Sequence, residues 1–294
     1  MPKNKMRRPL PHPLANKTIG KCIYCGSTDH LTTEHVIPYG LNGVLQLYKA
    51  SCGDCAKITS ALEHHIVREV YGPARHLLDM RTYRNKRRGQ KTSYPMLLEK
   101  NGEEVFQNIP IDDYVAMLIA PLYGYPECVA ERNRAQGVML PTGFISVGAK
   151  VFQKINAKDV ELLKQEHGAS KISSQINFDC IDFARFLAKI AHGYIVAAYG
   201  LESITESYVV DSILGRSQDV LRWVGCEVGI KRLPQRQGVK AIFHNVGFDV
   251  LNGEFVFWIR LFDNFANAPE YIAIVGRATE TLRSHLIARG RTHA

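Results

Sequence analysis

The sequence has no long apolar run and no recognisable secretion signal. None of its 294 residues lies in an uninterrupted stretch of the roughly 18 apolar residues that a membrane-spanning helix needs. The first residues, MPKNKMRRPLPHPL, carry charge but are not followed by the apolar segment of a signal peptide. The chain is nevertheless 46% hydrophobic and can bury a substantial core. We therefore expect a soluble, cytoplasmic globular protein of one large or two ordinary domains.

A disulfide framework is also missing, because the seven cysteines are odd in number and unevenly spaced. Four of them form two C-x-x-C pairs, Cys22 with Cys25 and Cys52 with Cys55. The other three are scattered, at Cys128, Cys180 and Cys226. Two such pairs supply the four thiolates of a closed tetrahedral zinc shell, which leaves no ligand position for a substrate. The spacing predicts a structural Zn²⁺ site in a reducing compartment.

Acidic residues are scarce in the first third of the chain. Residues 1–92 hold 16 Lys and Arg against 6 Asp and Glu, whereas residues 93–294 hold 21 against 22. A local positive field attracts polyanions, so we predict nucleic acid as the partner and no membrane partner; the alternative is a basic tail and a solvated loop. The candidate contacts are the cations of the basic segments, namely Arg7, Arg8, Lys17, Arg81, Arg84, Lys86, Arg87, Arg88 and Lys91.

The predicted division of the chain follows these changes in composition. Residues 1–17, with four prolines and no periodicity, are expected to form a flexible basic arm, and residues 73–92 a basic linker. Residues 18–72 between them are predicted to form a small module. It should contain a short strand over 32–37 and a helix over 56–70, where apolar residues recur at four-residue spacing.

Residues 93–294 are predicted to form a larger mixed α+β domain with antiparallel sheet. Asn101-Gly102 and Asn252-Gly253 each predict a β-hairpin. Residues 178–199 show the longest helical pattern, with only a thin polar stripe, so this helix should be buried and His192 on its stripe should be a packing residue. Further predicted elements are helices over 159–166 and 211–224 and strands over 239–250, 254–262 and 271–275.

The segment between the two cysteine pairs contains Glu34-His35-Val36-Ile37-Pro38. Paired C-x-x-C knuckles around a D/E-H-x-x-P segment resemble the HNH family of metal-dependent nucleases, over about residues 18–70. The resemblance implies a zinc-stapled ββα core that holds one catalytic metal ion against a nucleic-acid phosphate. The expected fold is thus α+β, with a ββα-metal module followed by the larger domain.

The resemblance also implies roles for the Glu-His pair. His35 would be the general base that takes a proton from water, a task suited to an imidazole that is neutral near pH 7. Glu34 would be an oxygen ligand of Mg²⁺ or Mn²⁺. Neighbouring side chains on a regular strand point to opposite faces, however, which argues against a shared task unless the strand twists or ends there. The alternative is an exposed Glu-His pair without catalytic function.

The sequence departs from the family pattern at the second metal ligand. An Asn or His commonly follows the last knuckle cysteine, but this position is Ala56. Glu63 lies seven residues further on the same helix face and is the candidate replacement ligand. His64 and His65, next to Glu63, are further candidate ligands. The candidates for orienting His35 or the site are Asn42, Gln46 and Thr59.

Two functional hypotheses follow. The first is an HNH-type endonuclease, acting on DNA more plausibly than on RNA, with Zn²⁺ as a structural ion and Mg²⁺ or Mn²⁺ as the catalytic ion. The second is a zinc-stapled nucleic-acid-binding protein with a degenerate site that does not cleave. Both leave open a protein partner or dimerisation through the C-terminal domain.

Overall fold

The computed structural model describes residues 14–80, 93–156, 158–174, 176–227, 233, 244–265 and 267–288. Within these residues the chain is a mixed α+β protein with mainly antiparallel sheets, as predicted. Most of the predicted basic arm and linker lies outside the described residues. The same holds for eight of the nine candidate nucleic-acid contacts, which are Arg7, Arg8, Arg81, Arg84, Lys86, Arg87, Arg88 and Lys91.

The N-terminal part combines a small sheet with a helix. Its elements are β1 (Lys17–Thr18), β2 (Thr32–His35), β3 (Gln46–Ser51), α1 (Gly53–His64) and α2 (Gly72–Leu77). Strand β3 lies in the middle, antiparallel to β2 and parallel to β1. Helix α1 begins three residues before its predicted start, so that Cys55 lies in its first turn, and it continues as wider π-helical turns over His65–Val70.

The C-terminal part holds three further sheets. Its strands are β4 (Ser93–Lys100), β5 (Glu103–Pro110), β6 (Val115–Tyr123), β7 (Phe144–Asn156), β8 (Lys171–Ser173), β9 (Ile204–Ser207), β10 (Val224–Gly225), β11 (Asn245–Leu251), β12 (Glu254–Arg260) and β13 (Glu270–Ala278). They form one sheet in the order β10-β13-β12-β11 with β9 also paired to β13, one in the order β5-β4-β8, and the β6-β7 pair. The helices are α3 (Glu127–Arg134), α4 (Val160–His167), α5 (Cys180–Tyr199), α6 (Val210–Ile213), α7 (Val220–Trp223) and α8 (Glu280–Ala288).

Both hairpins predicted from Asn-Gly pairs are confirmed. Asn101 and Gly102 join β4 to β5 with φ angles of 53° and 83°, and Asn252 and Gly253 join β11 to β12 with φ angles of 52° and 79°. Two successive positive φ angles give the turn whose twist matches that of the strands, and asparagine and glycine adopt them most readily. The local sequence therefore determines these two registers.

The single helix predicted over residues 211–224 is wrong. The chain forms α6 and α7 instead, separated by Gly215, whose φ angle is 71°. The guanidinium of Arg185 donates to the carbonyl oxygens of Ser212 and Ile213 at 2.9 and 3.1 Å, so these carbonyls are satisfied without another helical turn. The strand pair β6-β7 and helix α3 had no prediction.

Helix α5 lies at the centre of the molecule. Most of its residues are buried, as predicted, and Asp179 caps its first turn by accepting from the backbone N–H groups of Ile181 and Asp182. One hydrophobic cluster contains residues from both parts of the chain, for example Cys22, Leu47, Ile66, Phe183, Ile190 and Phe257. None of the helices in the described parts of the chain is both long and apolar enough to cross a membrane.

Gly193 allows α5 to approach the N-terminal sheet closely. A β-carbon at this position would lie 3.1 Å from a methyl group of Val36, which follows β2 directly. This close approach places the polar stripe of α5 against the residues that the sequence singles out.

Candidate functional site

The four cysteines of the two C-x-x-C pairs form one cluster. The sulfur atoms of Cys22, Cys25, Cys52 and Cys55 all lie within 4.8 Å of one another, and in the described part of the chain these residues are the one group found that could hold a metal ion. Gly26, with a φ angle of 77°, closes the first pair by donating its N–H to the Cys22 carbonyl. Cys52 immediately precedes the first turn of α1, and Cys55 lies within that turn.

The chemistry of this cluster fits a structural metal such as zinc. The backbone N–H of Cys55 donates to the Cys52 thiolate and is the main reason that the pKa of Cys52 falls to about 7. Four thiols at these separations can close a tetrahedral shell after losing their protons. Cys22, Cys52 and Cys55 are buried while Cys25 is exposed, so the cluster lies just beneath the surface.

Glu34 and His35 point to opposite sides of strand β2. The Glu34 side chain is buried, with 7% of its surface exposed, whereas His35 is half-buried. The register of β2 against β3 shifts between Thr32 and Glu34, and from there Glu34 pairs with Leu47 and His35 pairs with Gln46 of β3. The alternation of side chains along a strand therefore separates the two residues.

Glu34 and Glu63 come together across the sheet and α1, but an ammonium group lies between them. The Nζ of Lys189, from α5, lies 2.6 Å from Glu34 Oε1 and 2.6 Å from Glu63 Oε1. It also donates to the carbonyl oxygen of Val36 at 3.2 Å and to that of His35. Because 1% of the Lys189 side chain is exposed, this cation is held inside the protein.

The electrostatics of this charge cluster are those of a buried ion network. Burial lowers the pKa of Lys189, but the carboxylates of Glu34 and Glu63 outweigh burial and the net shift is upward, so the ammonium stays charged. Burial raises the pKa of Glu63, Lys189 opposes that shift and Glu34 adds to it, with a net increase. The phenol of Tyr24 lies nearby, and its pKa is raised well above the usual value, first by burial and then by Glu34 and Glu63.

The two carboxylates as arranged do not fit a catalytic Mg²⁺ or Mn²⁺ ion. Such ions take about six oxygen ligands and usually keep several waters, so they need an open site. The position equidistant from Glu34 and Glu63 is instead filled by the Nζ of Lys189, and both side chains are largely shielded from solvent. No reaction step is therefore assigned to a metal at these residues.

The imidazole of His35 faces outward and contacts Gln46. Its Nε2 lies 3.0 Å from the Gln46 amide nitrogen, which donates to it, and its ring meets the Tyr39 ring edge-on at 6.2 Å. Burial, and after it the charge of Lys189, lowers the pKa of His35, while Glu34 opposes the shift. The imidazole is consequently neutral at pH 7, the form that a general base needs, but its Nε2 lone pair is engaged by Gln46.

The remaining candidates have other contacts. The hydroxyl of Thr59 donates to the Cys55 carbonyl within α1, and Asn42 takes up a left-handed backbone conformation with a φ angle of 65° after a helical turn. His64 and His65 approach Glu69, with Nδ1 to carboxylate distances of 3.8 and 3.1 Å. Of the orienting candidates, Gln46 contacts His35.

Three residues from the C-terminal part were not predicted to contact the module. They are Lys189, His192 and His244. The Nε2 of His192 donates to the Ile23 carbonyl at 2.8 Å, and the Nε2 of His244 donates to the Leu41 carbonyl at 2.6 Å. The sequence did contain one signal, which is a lysine on the stripe of a helix that is otherwise apolar. A buried ammonium requires acidic partners, so this lysine predicts buried carboxylates near α5 without saying which residues supply them.

The described part of the N-terminal third has no excess of basic over acidic residues. Residues 14–80 contain six Lys and Arg and six Asp and Glu, whereas residues 1–13 and 81–92 contain ten Lys and Arg and no acidic residue. Lys17, the one candidate contact among the described residues, is exposed on β1. The excess positive charge thus flanks the folded module.

Comparisons of this chain with known proteins give no match. No family model, no curated protein and no solved structure among those compared is similar to it at the significance required. A function for this chain is therefore inferred from its own residues and their geometry.

Proposed function

We propose that this protein binds nucleic acid through a zinc-stapled module of the HNH type and does not cleave it by a metal-dependent route. The observation that carries this proposal is the position of Lys189 Nζ, 2.6 Å from both Glu34 and Glu63. A bound divalent ion would have to displace an ammonium that is tethered to a buried helix. The charge normally supplied by the catalytic metal is thus already present as a structural cation.

The HNH assignment is supported by the order of elements and by the cysteines. Strand β2, strand β3 and helix α1 follow one another, with the first cysteine pair before β2 and the second at the junction of β3 and α1. Zinc at the four cysteines would fasten the start of the unit to the first turn of α1. In this proposal Zn²⁺ is a structural ion and carries no chemistry.

Nucleic acid as the partner is supported by the placement of charge. Ten cations without an acidic residue lie in residues 1–13 and 81–92, on either side of a module that is itself charge-balanced. Segments of this composition bind phosphate through counterion release, which needs no particular base sequence. The half-buried His35 and the exposed Tyr48 and Lys49 add polar and aromatic groups on the module itself.

A metal-dependent endonuclease is the second candidate, and the state of His35 favours it. This imidazole is neutral at pH 7, partly accessible and next to a carboxylate residue in sequence, as a general base would be. For this role Gln46 would have to release the Nε2 lone pair, and charge on the phosphate would need a counter-ion other than one between Glu34 and Glu63.

A nicking assay decides between the two candidates. Zinc-loaded protein is incubated with supercoiled plasmid and with single-stranded RNA, with Mg²⁺ or Mn²⁺ or with EDTA, and binding is followed in parallel by fluorescence anisotropy. We expect salt-sensitive binding with no nicking above background. Nicking that EDTA abolishes, that Mn²⁺ restores and that His35→Ala lowers roughly 10² to 10⁴ fold would instead establish the endonuclease.

A further inference from the structure

We infer that Lys189 is the resident cation of the site formed by Glu34 and Glu63, so that the folded chain excludes divalent metal ions from these carboxylates and uses the ammonium to fix the end of strand β2. This role holds whether or not the module binds nucleic acid.

The coordination of the ammonium supports this assignment. Its four oxygen partners are one carboxylate oxygen from each of Glu34 and Glu63 and the backbone carbonyls of His35 and Val36. An ammonium has three N–H donors, so four acceptors already exceed its capacity and no donor is left for water or substrate. The oxygens belong to β2, to the residue after it and to α1, which means that a single side chain holds the strand and the helix together.

The position of Lys189 within a buried helix explains why the site is closed to solvent. Lys189 lies in the middle of α5, where its neighbours Ala188 and Ile190 are fully buried. His192, one turn later, donates to Ile23 of the first cysteine knuckle, and Gly193 packs against Val36. Because only 1% of the Lys189 side chain is exposed, moving the ammonium to solvent would require α5 and the module to shift relative to each other.

The charges give the site a preference for the ammonium over a divalent ion. A Mg²⁺ or Mn²⁺ ion bound beside Lys189 would meet a like charge at close range in a region of low dielectric constant. If the ammonium stayed, repulsion would oppose the metal; if it left, a buried lysine would be without its partners. Both outcomes therefore oppose binding of a divalent ion at these carboxylates.

Lys189 also acts on His35 through the backbone. By accepting from Lys189, the His35 carbonyl is fixed on the inner side of β2 while the imidazole is directed to the outer side, toward Gln46. Lys189 is thus a positioning residue for His35 and does not itself reach the surface.

Metal binding measured on the zinc-loaded full chain tests the inference. Free Mn²⁺ is followed by electron paramagnetic resonance during a titration, with zinc content checked at each point. The variants are Lys189→Ala, which opens space and removes the ammonium, and Glu34→Gln and Glu63→Gln, which remove the ligands.

The unaltered chain is expected to give the same Mn²⁺ isotherm as the two glutamine variants. Lys189→Ala should gain about one Mn²⁺ per chain, because two carboxylates are then free to bind an ion, and adding Glu63→Gln to it should remove this gain.

Two results would overturn the assignment. One is Mn²⁺ binding by the unaltered chain that Glu34→Gln or Glu63→Gln abolishes, since this would place a metal where Lys189 is proposed to be. The other is a Lys189→Ala chain that folds and gains no Mn²⁺. If Lys189→Ala does not fold, the comparison of the unaltered chain with the glutamine variants decides the question alone.

Discussion

The imidazole of His244 donates from Nε2 to the carbonyl oxygen of Leu41 at 2.6 Å, across 203 residues of sequence. Its other nitrogen, Nδ1, accepts from the backbone N–H of Phe262 at 3.1 Å, so both ring nitrogens are used and the ring must be neutral. With Lys189 and His192, this contact joins the N-terminal module to the C-terminal part through backbone carbonyls. Contacts with the C-terminal part therefore hold the module in place, in addition to its cysteine cluster.

Because His244 is buried and neutral, we predict that acid destabilises the fold through this residue. Burial lowers the pKa of His244 to about 4, against roughly 6.5 in an unfolded chain. Below about pH 6.5 the unfolded chain thus binds a proton that the folded chain does not, and stability falls until about pH 4. Between pH 7 and pH 5 the decrease in stability due to His244 should be roughly 2 kcal/mol.

His244→Gln should remove this part of the pH dependence. Glutamine can donate to Leu41 and accept from Phe262 but does not titrate. Urea unfolding of both proteins at pH 7 and pH 5 gives the difference, and loss of zinc at low pH affects both alike. An equal fall in stability for the two proteins would show that His244 is not responsible.

The second prediction concerns the cysteine cluster. Cys52→Ser should lower the zinc content from about one ion per chain to near zero, because three thiolates and a hydroxyl make a poor zinc shell. Since the module shares a hydrophobic cluster with the C-terminal part, the whole chain should become less stable in one transition, with no separately unfolding module. Zinc content by mass spectrometry and thermal unfolding measure this.

Cys180→Ser is the matched control for this experiment. Cys180 is a half-buried cysteine at the start of α5, away from the cluster, and its replacement should leave zinc content and unfolding nearly unchanged. Full zinc content in Cys52→Ser would show that the four cysteines are not the zinc site.

Local signals in the sequence predict the features that depend on neighbouring residues. The Asn-Gly turns require positive φ angles, the cysteine spacing brings four sulfurs together, and the apolar pattern of α5 predicts a buried helix. These patterns concern residues that are close in sequence or of unusual type. They were sufficient for the hairpins, the metal cluster and the longest helix.

The charge cluster could not be predicted in the same way, because its members are far apart in sequence. Lys189 is 154 residues from His35, and no spacing rule links it to Glu34 or Glu63. The resemblance assigned Glu34 to a metal ion and helix spacing made Glu63 the candidate second ligand, but a tertiary contact of α5 supplies a different cation. The helix predicted over 211–224 failed for a similar reason, since Arg185 from α5 binds the carbonyls at which α6 ends.

The third prediction concerns the cost of removing the buried ammonium. Lys189→Met should destabilise the chain by roughly 3–5 kcal/mol, because Glu34 and Glu63 would remain buried without a counter-charge. Adding Glu34→Gln and Glu63→Gln should recover a large part of this stability, since the triple variant has no unpaired charge. Lys57→Met, which removes an exposed pair with Asp54, should change stability by less than about 1 kcal/mol. A small effect of Lys189→Met would mean that the ion network contributes little to the fold.

The last prediction is that affinity for nucleic acid depends on the two basic segments and on ionic strength. The test variant lacks residues 1–13 and carries Arg84, Lys86, Arg87 and Arg88 as glutamine, which removes eight positive charges. The deletion stops before Asn16, whose side chain contacts Gln46 and Tyr48 and helps to fix the small sheet. For every phosphate that the variant no longer neutralises, the slope of log affinity against log salt should fall by about 0.9 on double-stranded DNA.

A control variant shows whether position matters as well as charge. It replaces four exposed cations of the C-terminal part by glutamine, namely Arg134, Lys150, Lys154 and Lys171. Anisotropy titrations from low to physiological salt should show a flatter slope and weaker binding for the test variant, and little change for the control. If the test variant binds as tightly and with the same slope as the unaltered chain, the basic segments do not contact phosphate. Weakening in proportion to the charges removed, eight in the test variant and four in the control, would indicate attraction by net charge alone, because only contacts made by particular segments can distinguish the two sets of cations.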